Sequence, residues 1–208
     1  MLFRLTKEGH PFPIEHPYAS MFRQMPHLIE RNPLIFQQLG QTVISMNVQD
    51  VIKGCERPAD INRIVGSAFH TWLKRFFTHH GYRFLSEYQF EREQDIAFLD
   101  ATDASILKFI NRKFNLNYDR GRDLLVKKGD KYIVGEARFL STSGGSQNSD
   151  VGETINFVKN AKRHLVAIAI IDGIVWFNRS YQTMLQELEE DEPALSALLL
   201  EDFLDSVR

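Results

Sequence analysis

Two β-rich runs, Asp123 to Lys128 and Lys131 to Leu140, flank the dipeptide Gly129-Asp130. Glycine followed by a polar residue between such runs marks a tight hairpin, because the favoured two-residue turns need positive φ angles that glycine adopts without strain. A loop of two residues fixes the register. Lys128 faces Lys131, Val126 faces Ile133, and Asp123 faces Glu136, so the only acids within the two strands sit side by side.

Directly opposed residues of an antiparallel pair have Cβ atoms roughly 4.5–5.5 Å apart, and like charges there repel. A cation is needed to offset them. Alternation of side chains puts Glu136 on one face with Val134 and Arg138, and across the hairpin with Asp123, Leu125 and Lys127. Two carboxylates at the end of an apolar face, with a guanidinium two residues beyond, form the kind of site that a hard divalent cation such as Mg²⁺ takes. Such an ion uses one or two carboxylates, a backbone carbonyl and waters.

A chain of 208 residues with 43% hydrophobic content supports one sizeable core, and a second independent domain would be cramped. A single domain is therefore expected over 1–208, with an N-terminal arm and helices over 1–58, a core over 60–178 and acidic C-terminal helices over 179–208. The formal net charge is only −2, but its distribution is uneven. Residues 183–208 hold eight acids against Arg208 alone. Taken from the totals of 27 acids and 25 bases, these leave nineteen acids and twenty-four bases in the first 182 residues. A body basic by five suits a polyanionic partner without proving one. Cys55 is the only cysteine, which excludes an intrachain disulfide and a cysteine-rich metal site. The N-terminus lacks the apolar core of a signal peptide, and no apolar run is long enough to span a bilayer, so a cytoplasmic protein with no membrane partner is expected.

Along the chain, residues 1–18 read as an irregular arm in which His10 and His16 are more simply loop residues than metal ligands. Residues 19–40 read as helical with breaks near Pro26 and Pro33 and an end at Gly40. Asp60 is a candidate N-cap for a helix whose Ile61, Ile64, Val65, Phe69, Trp72, Leu73 and Phe76 recur at three- and four-residue steps until Gly81. Tyr82 to Phe90 reads as a strand and Glu91 to Asp95 as a charged connection. Thr102 or Asp103 caps a helix through Ala104 to about Phe114. Arg112, Lys113, Arg120 and Arg122 then gather before the hairpin, either as a solvated surface or as a patch for backbone phosphates, which position a duplex without reading its sequence.

Downstream, Ser141 to Ser149 reads as a flexible polar loop containing Gly144-Gly145. Asp150 and Glu153 have the spacing of a capping box that opens a helix to about Arg163. Leu165 to Ile171 is a continuous apolar run, the mark of a strand buried on both faces. Asp172-Gly173 predicts a turn and Ile174 to Asn178 a returning strand. In the tail, Leu195, Leu198, Leu199, Phe203 and Leu204 form an apolar stripe that either closes the fold or meets a second subunit.

With elements in this order, residues 60–178 resemble the PD-(D/E)xK nucleases, and among them the type II restriction endonucleases. That family's core is a helix, three antiparallel strands, a helix and a further strand, with an acid on the second strand and Glu-x-Lys on the third. Asp123 matches the first acid and Glu136-Ala137-Arg138 the second part. Phe-Leu-Ser-Thr-Ser-Gly-Gly-Ser-Gln, ending at Gln147, is similar to the Gly-Gly-x-Gln run that follows Glu-Ala-Lys in some restriction enzymes. The resemblance implies an α/β fold with a restriction-endonuclease-like mixed central sheet flanked by helices, preceded here by an N-terminal helical region. It implies Mg²⁺-dependent hydrolysis of duplex DNA at a specific sequence by a homodimer. Asp123, Glu136 and the carbonyl of Ala137 would hold Mg²⁺, Arg138 would contact the scissile phosphate, and Gln147 and Asn148 would reach base edges, where amides pair well with adenine.

Two positions depart from the family pattern. Arg122 replaces the proline before the first acid, and Arg138 stands where lysine is usual. Arginine stays protonated and cannot act as a base, although it can hold phosphate oxygens bidentately. Three other readings therefore stand beside the first: a DNA-binding subunit with an impaired catalytic centre, a structure-specific repair or recombination nuclease on the same core, and a structural hairpin whose acids are neutralised by Arg138 or Lys127.

Overall fold

We describe residues 14, 17–56, 61–140, 146–161 and 165–207 of a computed structural model. Asp60, His10, His16, Arg163 and the Gly144-Gly145 segment lie outside the described residues, as do the side chains of Ile61, Ile64 and Val65.

The N-terminal helices are α1 (Pro17–Gln24), α2 (Leu28–Arg31), α3 (Pro33–Ser45) and α4 (Val48–Glu56). Breaks fall at the two prolines, as expected. Gly40, however, lies inside α3, which continues to Ser45. A lone glycine weakens a helix without ending it. Helix α5 (Ile61–His79) follows, and then β1 (Arg83–Leu85), α6 (Glu87–Arg92), β2 (Ala97–Leu99) and α7 (Asp103–Phe114). The single strand expected over Tyr82–Phe90 is thus a strand followed by a helix. Ser86 and Gln89 form a reciprocal capping box that turns the chain into α6, and Phe90 points into the core. Strand β2, three buried residues long, is too short to leave a pattern in the sequence. Thr102 is the N-cap of α7, its hydroxyl accepting from the Ser105 N–H.

The hairpin forms β3 (Leu124–Lys128) and β4 (Lys131–Leu140), followed by α8 (Ser146–Lys159) and β5 (Val166–Gly173). The spacing of Asp150 and Glu153 falls inside α8 and does not open it, and Gln147 and Asn148 belong to its first turn and not to a loop. Val166 to Gly173 is the strand expected to be buried on both faces, and Ala167 to Ile171 are almost fully sealed. The returning strand at Ile174–Asn178 is absent; Ile174–Phe177 is a 3₁₀ turn. Gly173 has a φ of +96°, the Trp176 indole N–H donates to the Ile171 carbonyl at 2.9 Å, and Asn178 caps α9 (Arg179–Gln186). Asp172 is not free to act as a turn residue, because it accepts from the Ser196 hydroxyl at 2.5 Å and the Ala197 N–H at 2.9 Å. The chain ends with β6 (Ala194–Leu195) and α10 (Leu200–Ser206). Leu195 and Leu204 close the fold, whereas Leu198 and Leu199 face solvent.

The six strands lie in the sheet in chain order. β1 is parallel to β2, β2–β3 and β3–β4 are antiparallel, and β4, β5 and β6 run parallel. This is the mixed central sheet flanked by helices that was expected. Alternation divides the core in two: Leu125 and Val134 pack with Phe109, Val151 and Tyr181 on one face, and Leu124, Val126 and Ile133 pack with Phe77 of α5 and Leu204 of α10 on the other. Each fully buried side chain of this size stabilises the fold by about 1.5–3 kcal/mol. Helices on both faces thereby hold the hairpin's C-terminal end, where β4 enters the sheet, in a fixed frame.

Candidate active site

The β3–β4 ladder runs from Lys128 opposite Lys131 to Leu124 opposite Gly135, with Gly129 at the turn in the left-handed region. Asp123 lies just beyond the ladder, its N–H donating to the carbonyl of Gly135 at 3.0 Å and not to that of Glu136. The Asp123 carboxylate then accepts from the Ala137 N–H at 2.8 Å, which draws it across to β4.

Glu136 is buried, its side chain only 4% exposed, and two guanidiniums hold it. Arg122 Nη1 lies 3.3 Å from Oε2, and Arg138 Nη2 is hydrogen-bonded to Oε1. The other arm of Arg138 donates to the Ala137 carbonyl at 2.8 Å and approaches Asp123 Oδ2 at 3.6 Å. One guanidinium thus touches all three groups that the sequence marks for a cation. Lys127 is not a partner of the acids. It is buried and donates to the carbonyls of Glu91 at 2.8 Å and Glu93 at 2.5 Å, where it closes the end of α6.

Asp123 also faces α5 and α7. His70 Nε2 lies 3.1 Å from Asp103 Oδ1 and 3.9 Å from Asp123 Oδ1. The three side chains each offer a metal-ligating atom within 4.8 Å of the others. The Asp123 carboxyl is raised above its ordinary value of 3.8, chiefly by burial; the Ala137 N–H, Arg138 and His70 pull it down while Asp103 pushes it up. Neither His70 nor Asp103 stands out in the sequence as a neighbour of Asp123, since their meeting follows from how α5 and the start of α7 dock against the hairpin.

The chain matches a known family over nearly its whole length. The family model of the Tsp45I type II restriction enzyme matches residues 4–207. The chain belongs to this family. No curated protein and no solved structure matches it. The Tsp45I match is wider than the resemblance read over 60–178, and it takes in α1 to α4 and the acidic tail as well as the hairpin. Membership in the Tsp45I restriction enzyme family carries nuclease activity on DNA as its general function.

Within this Tsp45I-type frame the expected phosphate contacts separate. Arg122 is no surface cation: its side chain is 6% exposed, and its guanidinium stacks 4.1 Å from the Phe157 ring centroid. Arg112 and Lys113 stand at the opposite end of α7 from Asp103, roughly 14 Å away at 1.5 Å per helical residue, and they face Glu87 and Glu91. They are therefore not beside the carboxylates. Arg120 is closer, bordering the same concavity as Glu136 while paired with Glu153. Gln147 and Asn148 are placed by their backbone in the first turn of α8, and their side chains lie outside the described residues. Among the described residues no helix is long and apolar enough to cross a membrane.

Proposed function

We propose that this protein is a site-specific endonuclease that hydrolyses phosphodiester bonds of duplex DNA with a divalent cation such as Mg²⁺, acting as a homodimer on a two-fold symmetric site. The observation that supports this most is the coincidence of the family match with the hairpin: Asp123 and Glu136 reach one another's neighbourhood around a single guanidinium.

Asp123 has the donor chemistry of a hard-cation site, while Glu136 and the Ala137 carbonyl, donors of the same type, are held by Arg122 and Arg138. A bound divalent ion would supply Lewis acidity at the phosphoryl oxygen and a lowered pKa for the attacking water. In the reaction, the water oxygen bonds to phosphorus, the bond from phosphorus to the 3′ oxygen breaks, and the leaving oxygen takes up a proton. The chain's own part is positioning. Arg138 is placed to grip non-bridging phosphate oxygens through its planar fork once it leaves the carboxylates, and Arg120 to exchange Glu153 for a flanking phosphate. Gln147 and Asn148, in the first turn of α8, are proposed to meet base edges.

A second reading is favoured by one observation: Arg138 engages all three groups expected to take the cation. A chain in which that contact persists would bind DNA without cutting it. Digestion of a sequenced plasmid with Mg²⁺ or Mn²⁺, followed by mapping of the ends, distinguishes the two. Discrete fragments support the restriction enzyme; intact plasmid with retained duplex binding supports the impaired subunit and overturns the first reading.

A further inference from the structure

We infer that the cation of this chain is held by His70, Asp103 and Asp123, with Asp123 shared and Glu136 excluded from its ligands. The inference rests on the endonuclease reading for what the cation serves, but its geometry stands on its own.

Glu136 is poorly placed to bind a metal. It is buried, one of its oxygens faces Arg122 and the other is bonded to Arg138, so a cation would have to displace two guanidiniums to reach it. The Ala137 carbonyl is likewise taken by Arg138. On the other side of Asp123 the situation reverses. His70 and Asp103 are partly exposed, with side chains 36% and 50% accessible, and they border a cleft of about 700 Å³ with Asp123, Asp100 and the Lys74 that pairs with Asp100 and not with them. An octahedral centre with bonds of about 2.1 Å sets neighbouring donors roughly 3 Å apart. Separations of 3.1 and 3.9 Å from His70 to the two aspartates need only a small closure.

Charge points the same way. The adjoining cleft of about 590 Å³ is lined by Asp103, Asp123, Asp150 and Asp172, with Arg138 as the only Lys or Arg among the described residues that line it. A DNA phosphate entering a wall of four carboxylates is repelled unless a cation comes with it. In this arrangement the divalent ion sits on the α5 side of Asp123, across that carboxylate from Arg138. The ligand set also predicts which ion binds. Imidazole nitrogen suits Mn²⁺, Co²⁺, Ni²⁺ and Zn²⁺ better than Mg²⁺, which prefers oxygen throughout.

The test is metal binding by the full chain without DNA. Calorimetric titration with Mn²⁺, Co²⁺ and Mg²⁺ should rank Co²⁺ above Mn²⁺ and Mn²⁺ above Mg²⁺. His70→Asn and Asp103→Asn should each weaken Mn²⁺ by about tenfold or more, whereas Glu136→Gln should change it by less than about threefold. Because Glu136→Gln disturbs a buried ion pair, a second measurement uses the unaltered chain: Mn²⁺ should broaden the imidazole resonance of His70, assigned by its loss in His70→Asn. An unbroadened resonance at saturating Mn²⁺, or unchanged affinity in both His70→Asn and Asp103→Asn, overturns the proposal. Plasmid cleavage keeps the two readings apart. Cleavage that survives His70→Asn with unaltered Mn²⁺ affinity sinks this site and leaves the endonuclease standing; Mn²⁺ bound at His70 in a chain that never cuts leaves the site and sinks the endonuclease.

Discussion

Arg122 and Glu136 face each other at 3.3 Å beneath the hairpin, both side chains almost sealed from water. An arginine immediately before the first motif acid is thereby part of the core. Phe157 and Tyr118 stack on its guanidinium, and its charge balances a carboxylate that would otherwise be very costly to bury. Removing one member of such a pair leaves the other charged and unpaired. Arg122→Ala should lower stability by about 3–5 kcal/mol, partly relieved for Glu136 by Arg138, as measured by urea unfolding. A loss below about 1 kcal/mol would show that the pair is not formed in solution.

Arg138 spans Glu136 through Nη2 and both the Ala137 carbonyl and Asp123 through Nη1 of one planar group. A lysine ammonium is a single point charge and cannot make all three contacts. Arg138→Lys should release part of this clamp and raise the cleavage rate by about tenfold, the effect of lowering a barrier by roughly 1.4 kcal/mol. Single-turnover cleavage of a mapped fragment checks it, and a slower variant would show that the guanidinium fork itself is used.

The raised carboxyl of Asp123 makes stability depend on pH. Below the ordinary value of 3.8 the group is protonated in both states. Above that value the native state holds its proton longer than the unfolded chain does, so stability falls as pH rises through the folded value. Asp123→Asn, which keeps an acceptor for the Ala137 N–H, should therefore melt above the parent at pH 7, with the gap closing as pH drops toward 4. Melting curves whose gap is the same at every pH count against burial as the cause.

Gly173 leaves β5 with a φ of +96°, and a Cβ there would lie 2.0 Å from the Leu140 carbonyl oxygen. Gly173→Ala should cost about 1–3 kcal/mol from backbone strain alone, and the clash adds to it. Because Leu140 is the last residue of β4, the variant should also reduce cleavage more than a stability loss of that size predicts. Thermal melting paired with activity below the transition separates the two effects.

How much of this was legible in the sequence depends on distance along the chain. The hairpin's register follows from a two-residue turn and a period of two, so the ladder from Lys128 opposite Lys131 to Leu124 opposite Gly135 needs only local information, and Asp123 lies just beyond its end. The buried strand Val166–Gly173 is legible for the same reason, since its unbroken apolar run records burial on both faces. Local signals misled where they were ambiguous. Asp172-Gly173 has the composition of a hairpin turn, but its aspartate is bound by Ser196 and Ala197, twenty-odd residues further on. Asp150 and Glu153 have capping-box spacing, yet Glu153 pairs with Arg120 from the flank of α8.

By itself the sequence determined the hairpin and its register, the helix that carries Trp72 and Phe76, and the strand buried on both faces. The tertiary structure alone decided which cation meets which acid. His70, Asp103 and Asp123 lie 33 and 20 residues apart in succession, and they meet only because α5 packs on Leu124 and Ile133 while α7 begins beside it. Arg122 became a buried counter-ion and Arg112 an outlying surface residue, though only ten positions separate them, because one follows the sheet inward and the other ends a helix that points away. Turn geometry and side-chain period are written in neighbouring residues; the meeting of charges across elements is set by how apolar faces dock, and no short stretch of chain encodes that.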